Sequence, residues 1–263
     1  MKPASPSLTY RIGTLDVRIP DVPHPALHGL TRDAVPANPD VATLHLEMVD
    51  APDWSPTLDR GGEVFVKALG SHHCRIDFPR RQVTLRLAAS LDRTGWYFVF
   101  RDIFAALCGL SGDVFLHASS VEIRGRASAF CAYSGGGKST IAGLLGGEAE
   151  TINDEINWAF RAPDGRVHLV DQRYYRDPPG AERPSIPLHK VYVIRKAATC
   201  AFLDLSTAET FPIVLAAPFG DDPMLPDRTK AAAMLFSLGY IGALQFNLSV
   251  ADVRRLLEEA NGS

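Results

Sequence analysis

Apolar and polar positions alternate with a period near two through much of the first third of the chain. YRIGTLDVRI (10–19), VATLHLEMV (41–49), EVFVKAL (63–69), HCRIDF (73–78) and QVTLRLAA (82–89) combine that alternation with β-branched residues. This is the signature of half-buried strands, and it predicts a small antiparallel sheet. Between the first two runs lies a proline-rich passage, Pro20 to Asp40, which can hold no long regular element and is expected to be a surface loop. A first long helix is predicted from about Leu91–Asp92 to Leu110. Ser111-Gly112-Asp113 then punctuates the chain. That punctuation predicts a boundary between a β-rich region, 1–110, and a second domain, 111–263.

Beyond it the pattern interleaves strands with helices. VFLHASSVEI and ASAFCAY read as strands, Lys138 to about Leu145 as a helix, and 150–160 and 166–171 as short strands. HKVYVI (189–194), CAFLDL (200–205) and ALQFNL (243–248) are further strands. Helices are predicted near 206–216 and 227–239, and VADVRRLLEEA closes the chain as an amphipathic helix. Such interleaving is the mark of an α/β fold. RYYRDPPGAERPSIP (173–187), rich in Arg and Pro, is predicted to be a long exposed loop.

Composition narrows the class. The 263 residues are 46% hydrophobic and 22% charged, which excludes long disorder and a coiled coil. Lys plus Arg number 27 against 30 Asp plus Glu, a net charge of -3, so there is no global footprint for nucleic acid or anionic lipid. The N-terminal MKPASPSLTYR lacks the apolar core of a signal peptide, and WYFVFRDIFAALCGL is too short and too charged to span a bilayer. Cys74, Cys108, Cys131 and Cys200 form no CxxC or CxxH pair and are expected to be reduced core thiols. The neighbours His72, His73 and Cys74 alternate across a strand, which argues against a joint metal site. A cytoplasmic location follows as the expectation.

The strongest chemical signal is Ala132-Tyr133-Ser134-Gly135-Gly136-Gly137-Lys138-Ser139-Thr140, after one apolar strand and before one helix. It is a Walker A pattern whose first glycine is replaced by Ala132. Three glycines let the backbone wrap an anion, and a helix N-terminus presents N–H groups. Lys138 can reach the β and γ phosphates, and Ser139 can ligate magnesium. Ser134, the three glycines, Lys138, Ser139 and Thr140 are therefore the candidate nucleotide-binding residues. Sixteen residues beyond Lys138 stands Asp154, followed by Glu155. In phosphoryl transfer one carboxylate can hold magnesium while the other takes a hydroxyl proton. His117 lies in the strand upstream. No LSGGQ-like segment occurs, which disfavours an ABC-type ATPase.

The stretch LHASSVEIRGRASAFCAYSGGGKST followed by INDE resembles the catalytic domain of HPr kinase/phosphorylase and its wider group of HPr-kinase-like proteins. The likeness covers about 115–160. It continues loosely through PLHKVYVI and ALQFNLSVADVRRLLEEA. It implies a mixed-sheet P-loop kinase domain of the HPr-kinase/PEP-carboxykinase-like type, preceded by a small β-rich region. It also implies an ATP- and Mg²⁺-dependent kinase acting on a serine hydroxyl of a peptide or small protein, such as a ribosomally made modified peptide. Asp154 would then be the base, Glu155 would serve the metal with Ser139, and His117 would adjust the Asp154 site. Homo-oligomers are common in that family. The chain departs from it in having Asp-Glu where two aspartates are usual, and it lacks the longer signature segment of the bifunctional enzymes. On a kinase reading Arg173, Arg176 and Arg183 are candidates to bind the acceptor. Two alternatives share the same core: a nucleotide-binding regulatory module without transfer chemistry, and a small-molecule kinase.

Overall fold

The computed structural model describes residues 9–19, 23, 25–36, 41–50, 57–61, 64–69, 72–146, 151–175, 181–215 and 228–262. They divide into two units. The first holds the described residues up to Gly112 together with Tyr174 and Tyr175, and the second holds the rest. The fold is mixed α/β, and among the described residues no helix is long and apolar enough to cross a membrane.

In the first unit eight strands form one sheet: β1 (Thr9–Ile12), β2 (Leu15–Arg18), β3 (Ala34–Val35), β4 (Ala42–Val49), β5 (Thr57–Gly61), β6 (Val64–Leu69), β7 (His72–Asp77) and β8 (Gln82–Ala88). Their order is β3-β1-β2-β4-β8-β7-β6-β5. The expected all-antiparallel sheet is corrected at its centre, where β4 runs parallel to both β2 and β8. Parallel neighbours need crossover connections rather than hairpins. The proline-rich passage supplies one of them. It also differs from a plain surface loop, because Pro25–Thr31 winds into a 3₁₀ helix on which Leu27 and Leu30 are fully buried. A spacing of three stacks both side chains on one side of a 3₁₀ turn. The run 10–19, expected as one strand, is a hairpin that turns at Gly13, whose φ is +60°.

Helix α1 (Arg93–Ser111) packs on β7 and β8. Asp92 caps it by accepting the Gly95 N–H at 2.7 Å, and Gly112 ends it in the left-handed region. The capping aspartate and terminal glycine are what made its limits readable. A buried polar cluster ties helix to sheet: Asp102 meets His72 Nε2 at 2.9 Å and accepts from Arg101 Nε at 2.9 Å. Tyr174 donates to Asp33 at 2.9 Å, and Tyr175 packs edge-on against Phe104.

The second unit contains β9 (Val114–His117), β10 (Ser119–Ile123), β11 (Arg126–Cys131), α2 (Lys138–Leu145), β12 (Thr151–Asn153), β13 (Ile156–Arg161) and β14 (Val167–Val170). The chain continues through β15 (Ser185–Lys196), β16 (Ala201–Leu203), α3 (Thr207–Leu215), α4 (Arg228–Ser237), β17 (Ile241–Phe246) and α5 (Val250–Gly262). The expected single strand 114–123 is broken at Ala118, whose N–H is drawn off to the Glu155 carbonyl at 3.2 Å. The strand expected over 189–194 instead begins at Ser185. The loop expected over 173–187 is correspondingly shorter. Pro187 obscured this; over Ser185–Pro187 the strand pairs with β14 alone, so one of its sides has no ladder that needs an N–H.

Strand β15 joins two sheet segments. Its first residues pair antiparallel with β14, and its later ones lie parallel to β11 and β17 on either side. Period-two alternation then sorts the core. Ala129, Cys131, Val191 and Val193 face the layer containing α3 and α4, while Phe130, Tyr192 and Ile194 face α2 and α5. Burial in that layer pushes the Cys131 thiol up to about 12, against a weaker opposing pull from Lys138.

Candidate functional site

The loop between β11 and α2 is shaped by its glycines. Gly135 and Gly137 have φ of +75° and +99°, a region that costs a side-chain-bearing residue about 1–2 kcal/mol. Gly136 is required by space: a Cβ there would stand 2.5 Å from Ala132 Cβ and 2.9 Å from the Tyr133 carbonyl oxygen. Gly137 is limited twice, since a Cβ would also lie 2.9 Å from the Phe246 ring and 2.7 Å from Lys196 Cε. Gly137 is the N-cap of α2, and no side chain caps the helix there. The helix therefore offers its first-turn N–H groups at the loop. Lys138 is buried, with Nζ donating to the Ala132 carbonyl at 3.2 Å. Ser134, Ser139 and Thr140 are exposed beside it.

Strand order brings the acidic pair to the same edge. β10 is antiparallel to both β11 and β12, so β11 and β12 run in one direction and their carboxyl ends open together. Asp154 and Glu155 follow β12 directly, and the glycine loop follows β11. With one strand between them, the two chain exits are about 10 Å apart. That intervening strand begins with Ser119, which pairs with Phe130 of β11. Ser119 is fully buried, and its Oγ donates to Asp154 Oδ1 at 2.6 Å. His117 ends β9 opposite Ile156, the residue just past the acidic pair.

The turn holding the two carboxylates is fixed from beneath. Asn153 Oδ1 accepts the backbone N–H groups of Glu155 and Ile156, both at 2.8 Å. Asn153 Nδ2 donates to Gln172 Oε1 at 2.7 Å, and Gln172 Nε2 donates to the Ile156 carbonyl at 2.7 Å. Asn157 Nδ2 holds the Ala118 carbonyl at 2.6 Å and its Oδ1 accepts from Ser120. A satisfied buried network of this kind makes one backbone path strongly preferred.

The three arginines stand differently. Arg173 is buried, paired in two-toothed fashion with Asp171 (2.9 and 2.7 Å), and also donates to Glu122 at 2.9 Å. Burial opposes its charge, but Asp171 and then Glu122 outweigh that, so its pKa is raised. Arg183 reaches the other Glu122 oxygen. Arg176 lies outside the described residues.

Ser119, Asn153, Gln172 and Lys196 were not singled out by sequence reasoning. Asn153 carried a usable signal, an Asn two residues before the N–H that it accepts. The others carry none, because their roles arise across strands. Among the described residues no group of three or more His, Cys, Asp or Glu could hold a metal ion alone. The exposed Asp154 carboxylate, the half-buried Glu155 and the exposed Ser139 hydroxyl are nevertheless hard oxygen donors. They suit Mg²⁺, which takes one or two protein ligands and completes its shell with phosphate oxygens and water.

No protein-family model matches this chain, and no curated protein matches it significantly.

Proposed function

We propose that this chain is an ATP- and Mg²⁺-dependent phosphotransferase, a P-loop kinase of the HPr-kinase-like type, acting on a serine hydroxyl of a peptide or small protein in the cytoplasm. The observation that carries the reading is the shared sheet edge. An anion-wrapping loop with a buried lysine opens beside a carboxylate held by a buried serine, with one strand between them. Lys138 leaves its resting contact with the Ala132 carbonyl to bind phosphate oxygens, while the α2 N–H groups and the loop amides cradle the rest. Asp154 accepts the proton of the acceptor hydroxyl as that oxygen forms its bond to the γ phosphorus and the bond to the departing ADP oxygen breaks. Ser139 and Glu155 would hold magnesium, which would supply charge neutralisation on the phosphates. Ser119 is a positioning residue, since its hydroxyl bonds one oxygen of Asp154 and leaves the other for the acceptor.

The test is incubation of the purified protein with Mg²⁺ and γ-labelled ATP, with and without serine-containing peptides encoded near its gene, for wild type and Asp154→Asn. Label on peptide from wild type alone supports the reading. ATP bound normally with no transfer to any hydroxyl would overturn it in favour of a binding module, and transfer only to small metabolites would overturn the peptide acceptor.

A further inference from the structure

A cleft of about 350 Å³ lies beside the glycine loop, on the side away from the acidic pair. Its walls are Ala132, Tyr133 and Gly136 of the loop, Ile194, Arg195 and Lys196 at the end of β15, and Ile213 of α3. The register Cys131↔Val193 explains how it forms. β15 runs three residues past the end of its parallel neighbour β11, so Ile194 to Lys196 rise alongside the loop. Crevices outside the carboxyl ends of parallel strands are where open α/β sheets take their ligands.

Two features give the cleft a direction. Lys196 Cε stands 2.7 Å from where a Cβ of Gly137 would be, so this exposed lysine runs along the helix N-cap and marks the end nearest the phosphates. Tyr133 leaves 58% of its surface exposed, an uncommon state for an aromatic ring lining a partly apolar hollow. Half-buried Ile213 of α3 adds apolar surface to the same lining.

We propose that this cleft is the nucleoside site, with the base against the Tyr133 ring and Lys196 at the phosphate-proximal end. The inference rests on the phosphotransferase reading. If the γ phosphate faces Asp154, which follows β12 three strands to one side of β15, the opposite end of the nucleotide extends toward β15. The sequence offers no hint of this, since Lys196 and Ile213 are far along the chain from the loop.

Equilibrium binding of ATP and of inorganic tripolyphosphate, which lacks the nucleoside, separates the possibilities. Wild type binds ATP more tightly than tripolyphosphate. Tyr133→Ala weakens ATP about tenfold and leaves tripolyphosphate unchanged, as expected for loss of one base–aromatic stack, and Tyr133→Phe restores ATP binding. Lys196→Met weakens both ligands about tenfold, as does Lys138→Ala or more so. Equal wild-type affinity for the two ligands, or no selective loss in Tyr133→Ala while Lys138→Ala weakens both, overturns the nucleoside site and leaves the phosphate loop standing. Unchanged binding in Lys196→Met overturns the assigned orientation. Unchanged binding of both ligands in Lys138→Ala removes the underlying reading itself.

Discussion

Replacing Asn153 by alanine tests whether the acidic turn is held by its buried amide. The side chain is 6% exposed and makes three hydrogen bonds: two accepted from the Glu155 and Ile156 N–H groups, and one donated to Gln172, itself 3% exposed. Truncation leaves those three partners without their bonds in a region largely closed to water. At about 1–1.5 kcal/mol for each group, with Glu155 partly rescued by solvent, the loss comes to about 3 kcal/mol. Asn153→Asp separates the parts. It keeps the acceptor for the two N–H groups but sets a carboxylate against Gln172 Oε1, and a flip of that amide would forfeit the Ile156 carbonyl, so an intermediate loss is expected. The assay is urea unfolding followed by Trp158, which is fully buried in the second unit, in a background carrying Trp54→Phe and Trp96→Phe. Following one unit's reporter avoids treating two units as a single two-state transition. A loss below about 1 kcal/mol in Asn153→Ala, with urea slope unchanged, would refute the claim that this network fixes the turn.

Further outcomes follow from the same geometry. Gly135→Ala meets no atom within 4 Å and costs only the left-handed backbone penalty of about 1–2 kcal/mol, whereas Gly137→Ala adds contact with the Phe246 ring; thermal unfolding should therefore rank Gly137→Ala clearly lower. Ser119→Ala should lower the transfer rate about tenfold with KM for ATP unchanged, and Ser119→Thr should recover most of it, as read by steady-state kinetics. Burial and then the nearby Arg126 and Lys190 charges hold His189 below its ordinary pKa of 6.5, so the unfolded chain binds the extra proton first. Its effect on stability is absent above that value and appears as a loss when pH falls below it, and His189→Gln should flatten this part of the stability–pH curve. Under native conditions iodoacetamide should modify Cys200, the half-buried thiol, well before the buried Cys74, Cys108 and Cys131, as mass spectrometry of the digested protein will show.

Local chemistry made several elements legible from sequence. Asp92 and Gly112 delimit α1 because a capping oxygen and a left-handed glycine act within one turn of the chain. Lys138–Leu145 was readable as a helix because the glycine run before it has few other uses. The candidate nucleotide loop and the Asp154–Glu155 pair were named from residue types alone. What the sequence by itself determined, then, was most of the segments that form strands and helices and which residue types were candidates for chemistry.

Strand partners and directions were a different matter. Nothing local to VATLHLEMV says that β4 lies parallel to two neighbours, and nothing in LHASSVEI says that Ala118 breaks the strand for a carbonyl 37 residues later. The order β12-β10-β11-β15 was decided only in three dimensions. That order puts Ser119 between loop and carboxylate, seats Asn153 on Gln172, and raises Lys196 beside Gly137. Periodicity assigns a residue to a face of its own strand, but the identity of the neighbouring strand depends on how all the faces are buried together.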